Sequence, residues 1–241
     1  MTLVFIGAFA AGWIDAVIGG GGLVLIPLLL SQGLAPTTAL ATNKLAACSG
    51  TVSASLVLIR NVGMPRNIWR FIPVALICSG LGALVASAMS AAIMRPIIIV
   101  LLLLVGIFVA FRPEFGTRKT VVRARTWLAV CCAGAIAFYD GVFGPGTGMF
   151  LIAAFTALLT GDFLASSVLA KVVNVCTNLG ALCVFILGGH VWWTLGLGLA
   201  LANILGGILG AKTAVLGGSK FIRLALLAMV VVLVARLTLV S

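Results

Sequence analysis

Asp15-Ala-Val-Ile-Gly19-Gly20-Gly21-Gly22 and Asp140-Gly-Val-Phe-Gly144-Pro145-Gly146-Thr147 are two versions of one motif, 125 residues apart. In each, an apolar run ends at a carboxylate and then breaks at a cluster of glycines. The chain around them is overwhelmingly apolar: 63% of its 241 residues are hydrophobic and 8% are charged, with a mean hydropathy of +1.34. Such a composition cannot build a water-facing surface, so the bilayer is the expected solvent. A spanning helix needs roughly 20 apolar residues, and the chain holds material for about eight to ten crossings. The expected class is an all-α polytopic membrane protein.

Outward from the motifs, the two halves keep matching. Ala41-Thr42-Asn43-Lys44 faces Val168-Leu169-Ala170-Lys171 at an offset of 127, Trp69 faces Trp193 at 124, and Gly82 and Ala86 fall on Gly206 and Gly210. Each half divides into five segments, at 3–18, 22–31, 36–59, 67–88 and 92–111, then 126–142, 146–160, 163–187, 191–213 and 219–239. Residues 1–111 thus form a first transmembrane repeat, 112–125 a basic cytoplasmic connector, and 126–241 a second repeat. A segment of about ten residues rises only about 15 Å, half the hydrocarbon thickness, so each glycine break is expected to join half-helices. Backbone freed at membrane depth must be buried in protein or line a wet cavity, which places an interior site at the breaks.

The charge of +11 resides largely in short connectors: Arg60, Arg66 and Arg70, then Arg112, Arg118, Lys119, Arg123 and Arg125. Basic loops between apolar helices are an orientation signal rather than a nucleic-acid surface. Five passes per half put these residues, with Lys212, Lys220 and Arg223, on the cytoplasmic side and leave Arg95 and Arg236 outside. Four passes put more positive charge outside. The expectation is therefore two inverted repeats of about five segments each, the architecture of secondary transporters with a site near the midplane. The first apolar run lacks a basic leader and contains Asp15, so it reads as a retained helix rather than a cleaved signal.

Of the four acidic residues, Asp15 and Asp140 sit just before the breaks, whereas Glu114 and Asp162 fall in loops. A carboxylate within a membrane helix costs roughly 2.5–3.5 kcal/mol on insertion scales, so each needs a partner, a cavity or a proton. Lys44 and Lys171 lie equally deep. One account is structural: one Asp and one Lys in each half form ion pairs that fix helix register. The other is functional: the lysines help hold an anion while an aspartate carries a proton. Both remain open. Gly21 and Gly146 precede helices whose free N–H groups suit an anion, and Thr147 adds a hydroxyl. Asn43, Asn174 and Asn178, with Thr42 and Thr177, are candidate solute ligands or interhelical hydrogen bonders. Gly206 and Gly210 read as a close-packing face.

Other chemistries find no support. Neither glycine cluster is followed by the Lys-Ser/Thr of a phosphate-binding loop. The single histidine, His190, precedes Trp192-Trp193 at a helix boundary, as in an interfacial aromatic belt. The six cysteines lack metal-ligand spacing and read as small core hydrophobes, so neither a metal nor a cofactor is expected. No nucleophile, base and orienter occur together, and the reading is not an enzyme.

Gly12-Trp13-Ile14-Asp15 with its glycine tail and Phe138-Tyr139-Asp140-Gly141-Val142-Phe143-Gly144-Pro145-Gly146-Thr147-Gly148 resemble the sulfite exporter TauE/SafE family. Asn43-Lys44 and Ala170-Lys171-Val-Val-Asn174-Val-Cys-Thr177-Asn178 extend the resemblance, which covers essentially the whole chain. It implies a multi-pass permease of the bacterial inner membrane, proton-coupled or not, for sulfite or an organosulfonate. The first break here is four glycines without a hydroxyl. A passive anion channel and a non-transporting membrane subunit stand as alternatives. The expected partners are a small anionic solute and the lipid bilayer, with no nucleic acid, and the sequence leaves a homo-oligomer open.

Overall fold

The computed structural model describes residues 2–64, 68–111 and 124–240, with residues 103, 105–111 and 218–240 described as backbone only. The basic connector expected at 112–125 lies outside the described residues except at its last two positions. All regular structure among the described residues is helical. The elements are α1 (Thr2–Ile18), α2 (Gly22–Ser31), α3 (Pro36–Val62), a 3-10 turn (Ile68–Arg70), α4 (Ile72–Ala88), α5 (Ala91–Phe111) and α6 (Thr126–Val142), followed by α7 (Thr147–Phe155) with a π-helical turn (Thr156–Thr160), α8 (Phe163–Leu187) and α9 (Trp193–Val240). Among the described residues, four stretches are long and apolar enough to cross a membrane: Pro36–Val62, Ile68–Ala88, Phe163–Leu187 and Trp193–Gly217.

Local chemistry sets most of these boundaries. Pro36 opens α3 at a position where its missing N–H costs nothing. Asp162 caps α8 by accepting hydrogen bonds from the Leu164 and Ala165 amides at 2.9 and 3.1 Å. At the two breaks the backbone turns through φ +82° at Gly19, +89° at Gly144 and +80° at Gly146, a region that only glycine enters without strain. The resulting α2 and α7, of 10 and 9 residues, each rise only about half a bilayer core.

One expected boundary is absent. Segments were expected at 191–213 and 219–239, yet α9 is continuous over 48 residues. Gly217-Gly218 offers no proline and no capping side chain, and a glycine only weakens a helix by about 1 kcal/mol. At about 1.5 Å per residue α9 rises about 72 Å, more than twice a hydrocarbon core, so Trp193–Gly217 already completes one crossing.

The most extensive helix contacts run across the two halves. α1 runs along α9, while α6, the equivalent of α1, runs along α4. Small residues make both contacts possible. A side chain on Gly206 would collide with the Phe9 carbonyl and one on Gly12 with the Asn203 carbonyl. On the other side, Gly82 meets the Phe138 carbonyl and Gly141 meets that of Ser79. Gly206 and Gly210 are thus a close-packing face. α3 and α8 lie against each other at the centre, and each also packs on the long helix of the other half, α9 and α4. The cysteines divide: Cys48 is buried, but Cys131 and Cys183 are exposed and face outward rather than into the core. An apolar surface facing lipid has the same residue content as a core, which is why their sequence context did not separate them.

Candidate functional site

Four buried or half-buried charges meet at the centre, and they pair across the halves. Lys44 Nζ on α3 lies 2.6 Å from Asp140 Oδ2 on α6, and Lys171 Nζ on α8 lies 2.9 Å from Asp15 Oδ2 on α1. Lys171 also donates to the Asp15 carbonyl. The sequence had suggested pairs within each half. Because α3 and α8 lie against each other, each lysine extends past its own half and reaches the other's carboxylate.

A polar chain joins the two pairs. Lys44 Nζ donates to Asn178 Oδ1 at 3.1 Å, Asn178 Nδ2 donates to Thr51 Oγ1 at 3.5 Å, and Thr51 Oγ1 lies 3.2 Å from Asp15 Oδ2. Asp140 Oδ1 accepts from Thr147 Oγ1 at 2.7 Å. Thr51 was missed by sequence reasoning, although a signal existed. It precedes Asn178 by 127, the offset that relates Lys44 to Lys171, so the two equivalent residues touch at the junction of the halves. Tyr139 was also missed as a structural residue. Its hydroxyl donates to the Pro145 carbonyl at 2.7 Å, and its ring meets those of Phe143 and Phe150.

The two glycine breaks touch back to back. A side chain on Gly19 would collide with Gly148 Cα, one on Gly148 would collide with Gly19 Cα, and Pro145 Cα lies near Gly22. This contact brings the N-termini of α2 and α7 together, each without a side-chain cap at Gly21 or Gly146. Several leading amides are already bonded, Leu23 and Val24 to the Gly20 and Gly21 carbonyls and Thr147 to that of Gly144, so what the two helix starts offer is chiefly the positive end of their dipoles. Gly21 lies directly over the Asp15 side chain, and Thr147, the first residue of α7, is held to Asp140. Asn43 is buried and its amide has no hydrogen bond among the described residues. Asn174 accepts from Thr177 Oγ1 at 3.1 Å and has no described recipient for its N–H groups.

The structure thus gathers Asp15, Asp140, Lys44, Lys171, Asn178 and Thr147 into one network around Gly21 and Gly146. Asn43 and Asn174 lie on the same helices as Lys44 and Lys171, α3 and α8, with no side-chain N–H hydrogen bond among the described residues. A cavity of about 360 Å³ lies elsewhere, at the bundle end, lined by apolar groups such as Val62, Phe71, Leu159 and Leu169. It contains none of these charges, so the chemistry does not reside there. Among the described residues no three His, Cys, Asp or Glu side chains cluster as metal ligands would.

The description of the sulfite exporter TauE/SafE family matches residues 4–237, nearly the full chain with both breaks and all four charges. The chain belongs to that family. TauE/SafE relatives include a "Probable membrane transporter protein" of Haemophilus influenzae, 36% identical over 92% of this chain and 88% of its own length. The "Probable membrane transporter protein YfcA" of Escherichia coli K12 is 35% identical over 92% and 84%. A third, "Probable membrane transporter protein ORF9" of a Sinorhizobium species, is 34% identical over 98% and 92%. No solved structure matches the chain. Family, apolar helices and relatives together make this a multi-pass membrane transporter, whose partners are a solute and the lipid around it.

Proposed function

We propose that this TauE/SafE transporter moves a small anion, sulfite or an organosulfonate, across the bacterial inner membrane in exchange for, or together with, a proton. The observation that carries the reading is the pair of buried lysine ammoniums beside two helix N-termini without a side-chain cap, at the paired glycine breaks. A dehydrated anion is stabilised by N–H dipoles and by an ammonium, and both are strengthened where water is excluded. Lys44 and Lys171 serve as charge partners, Gly21, Gly146 and Thr147 present the helix ends, and Asn43, Asn174 and Asn178 supply amide donors. Asp15 and Asp140 balance the lysines when no anion is bound.

An inverted arrangement of the halves is part of this proposal. The Arg125 amide donates to the Leu158 carbonyl at 2.8 Å, so the end of the α7 segment returns to the start of α6. With the first break counted as the same kind of out-and-back pair, α1 to α5 make an odd number of passes. An odd number inverts the second half, in agreement with the placement of the basic loops.

The test is flux in proteoliposomes with sulfite and with 2-hydroxyethanesulfonate under an imposed pH gradient. Uphill accumulation driven by the gradient is the expected result. Flux that only follows the anion's own gradient would make the protein a passive channel, and no flux of either anion would refute the substrate class. A single cysteine at Gly116, in a cysteine-free background, is expected to react with impermeant reagent only from the cytoplasmic side.

A further inference from the structure

The two ion pairs are equivalent in sequence but not in surroundings. Lys44 and Asp140 are sealed, with side chains 3% and 2% exposed, whereas Asp15 is 14% exposed against 0% for its partner Lys171. Asp140 receives the Thr147 hydroxyl, which keeps the carboxylate satisfied as an anion. Asp15 faces Thr51 differently. The Thr51 hydroxyl lies 2.6 Å from the Ala47 carbonyl and 3.2 Å from Asp15 Oδ2, and it has one proton to give. That proton can go to Asp15 or to the nearer Ala47 carbonyl, and Asn178 donates to one lone pair of the same oxygen; with the proton on Ala47, the remaining lone pair can accept a hydrogen bond from a protonated Asp15 carboxyl.

From this geometry we infer that Asp15, and not Asp140, is the proton-exchanging carboxylate, that Thr51 positions its protonated form, and that Lys171 is handed from Asp15 to the transported anion. The inference rests on the anion-transport reading above. Water reaching the exposed edge of Asp15 delivers a proton from hydronium. The Oδ2–H bond forms and a water molecule leaves. The new hydroxyl donates to Thr51 Oγ1, and Thr51 donates to Ala47. Lys171, now without its counter-charge in a buried site, requires another anion, and the uncapped N-terminus of α2 above Asp15 becomes free to share it. One proton therefore enters with each single negative charge. Around Asp15, α8 contributes Lys171 and α3 contributes Thr51, with Lys44 one step beyond through Asn178. Gly21 at the start of α2 brings backbone over the Asp15 side chain, and α9, which packs along α1, carries an exposed Lys212. Lys171 is the one charge in direct contact among the described residues.

The experiment measures binding of 2-hydroxyethanesulfonate, ionised throughout, to the purified full chain in lipid nanodiscs across pH. Wild-type affinity is expected to rise about tenfold for each pH unit of acidification while Asp15 is ionised. Asp15→Asn, a mimic of the protonated form, is expected to bind with no pH dependence. Asp140→Asn, whatever its affinity, is expected to keep the wild-type slope. Because either carboxylate variant risks misfolding, Thr51→Val provides a second measure. Loss of one hydrogen bond to the protonated form is expected to move the binding midpoint to lower pH by about one unit, and Thr51→Ser should restore it. A persistent slope in Asp15→Asn, a slope lost only in Asp140→Asn, or an unchanged midpoint in Thr51→Val overturns the inference alone. No sulfonate binding by the wild type at any pH overturns the transport reading and the inference together.

Discussion

The second glycine break is latched and the first is bare. In the second, Tyr139 ties down the Pro145 carbonyl, and the single Thr147 hydroxyl proton is shared between Asp140 at 2.7 Å and the Gly144 carbonyl at 2.9 Å. At the matching positions of the first break stand Ile14 and Gly22, which have no polar side chain to offer. Its carboxylate, Asp15, is correspondingly the more exposed of the two. A duplicated sequence has thus produced one half-site that is pinned by its own side chains and another that is held mainly by neighbours. For a transporter that division is useful, because an anchor and an adaptable element are both needed if a site is to change its accessibility.

The largest effect that can break this comparison concerns the sealed pair. Lys44→Met leaves the Asp140 carboxylate buried without a counter-charge and is expected to cost about 3–5 kcal/mol in unfolding experiments on the purified protein. Lys171→Met should cost less, since the Asp15 side chain is 14% exposed against 2% for Asp140. Lys44→Met with Asp140→Asn should recover most of the lost stability, whereas Lys171→Met with Asp140→Asn should not, because it orphans both remaining charges. Recovery in the second double variant would contradict the cross-half pairing.

Next in size is the contact between the breaks. Gly19→Ala places a side chain at φ +82° and against Gly148, so a loss of about 1–3 kcal/mol is expected, with transport falling alongside it. Proteoliposome flux and thermal melting together check this. Smaller again is the latch itself. Tyr139→Phe removes one hydrogen bond and should lower stability by about 1 kcal/mol, while the pH dependence of anion binding stays as in the wild type. Smallest is Gly22→Ala. The added methyl would sit 3.4 Å from Ile26 Cδ1 and 3.5 Å from Pro145 Cα, close to ordinary contact, and the melting temperature should shift by less than the equivalent of about 0.5 kcal/mol. A large loss there would mean that the first break is as tightly fixed as the second.

Much of this was legible in the chain itself. Apolar run lengths, Pro36, Asp162 and the glycine clusters fix nearly every helix end, because those signals act within a few residues. The placement of the four buried charges was also determined by sequence, since an ionisable group in an apolar helix has few permissible environments. Three features were decided only by tertiary structure. The pairing of Lys44 with Asp140 and of Lys171 with Asp15 follows from how α3 and α8 lie against each other, which no local pattern encodes. The role of Thr51 depends on a carbonyl and a carboxylate that approach it from different helices. The difference in exposure between Asp15 and Asp140 arises from packing around two nearly identical motifs. Short-range chemistry specifies where a membrane helix starts, breaks and carries charge, but partners and water access depend on the crossing of helices distant in sequence, and that is settled only when the halves come together.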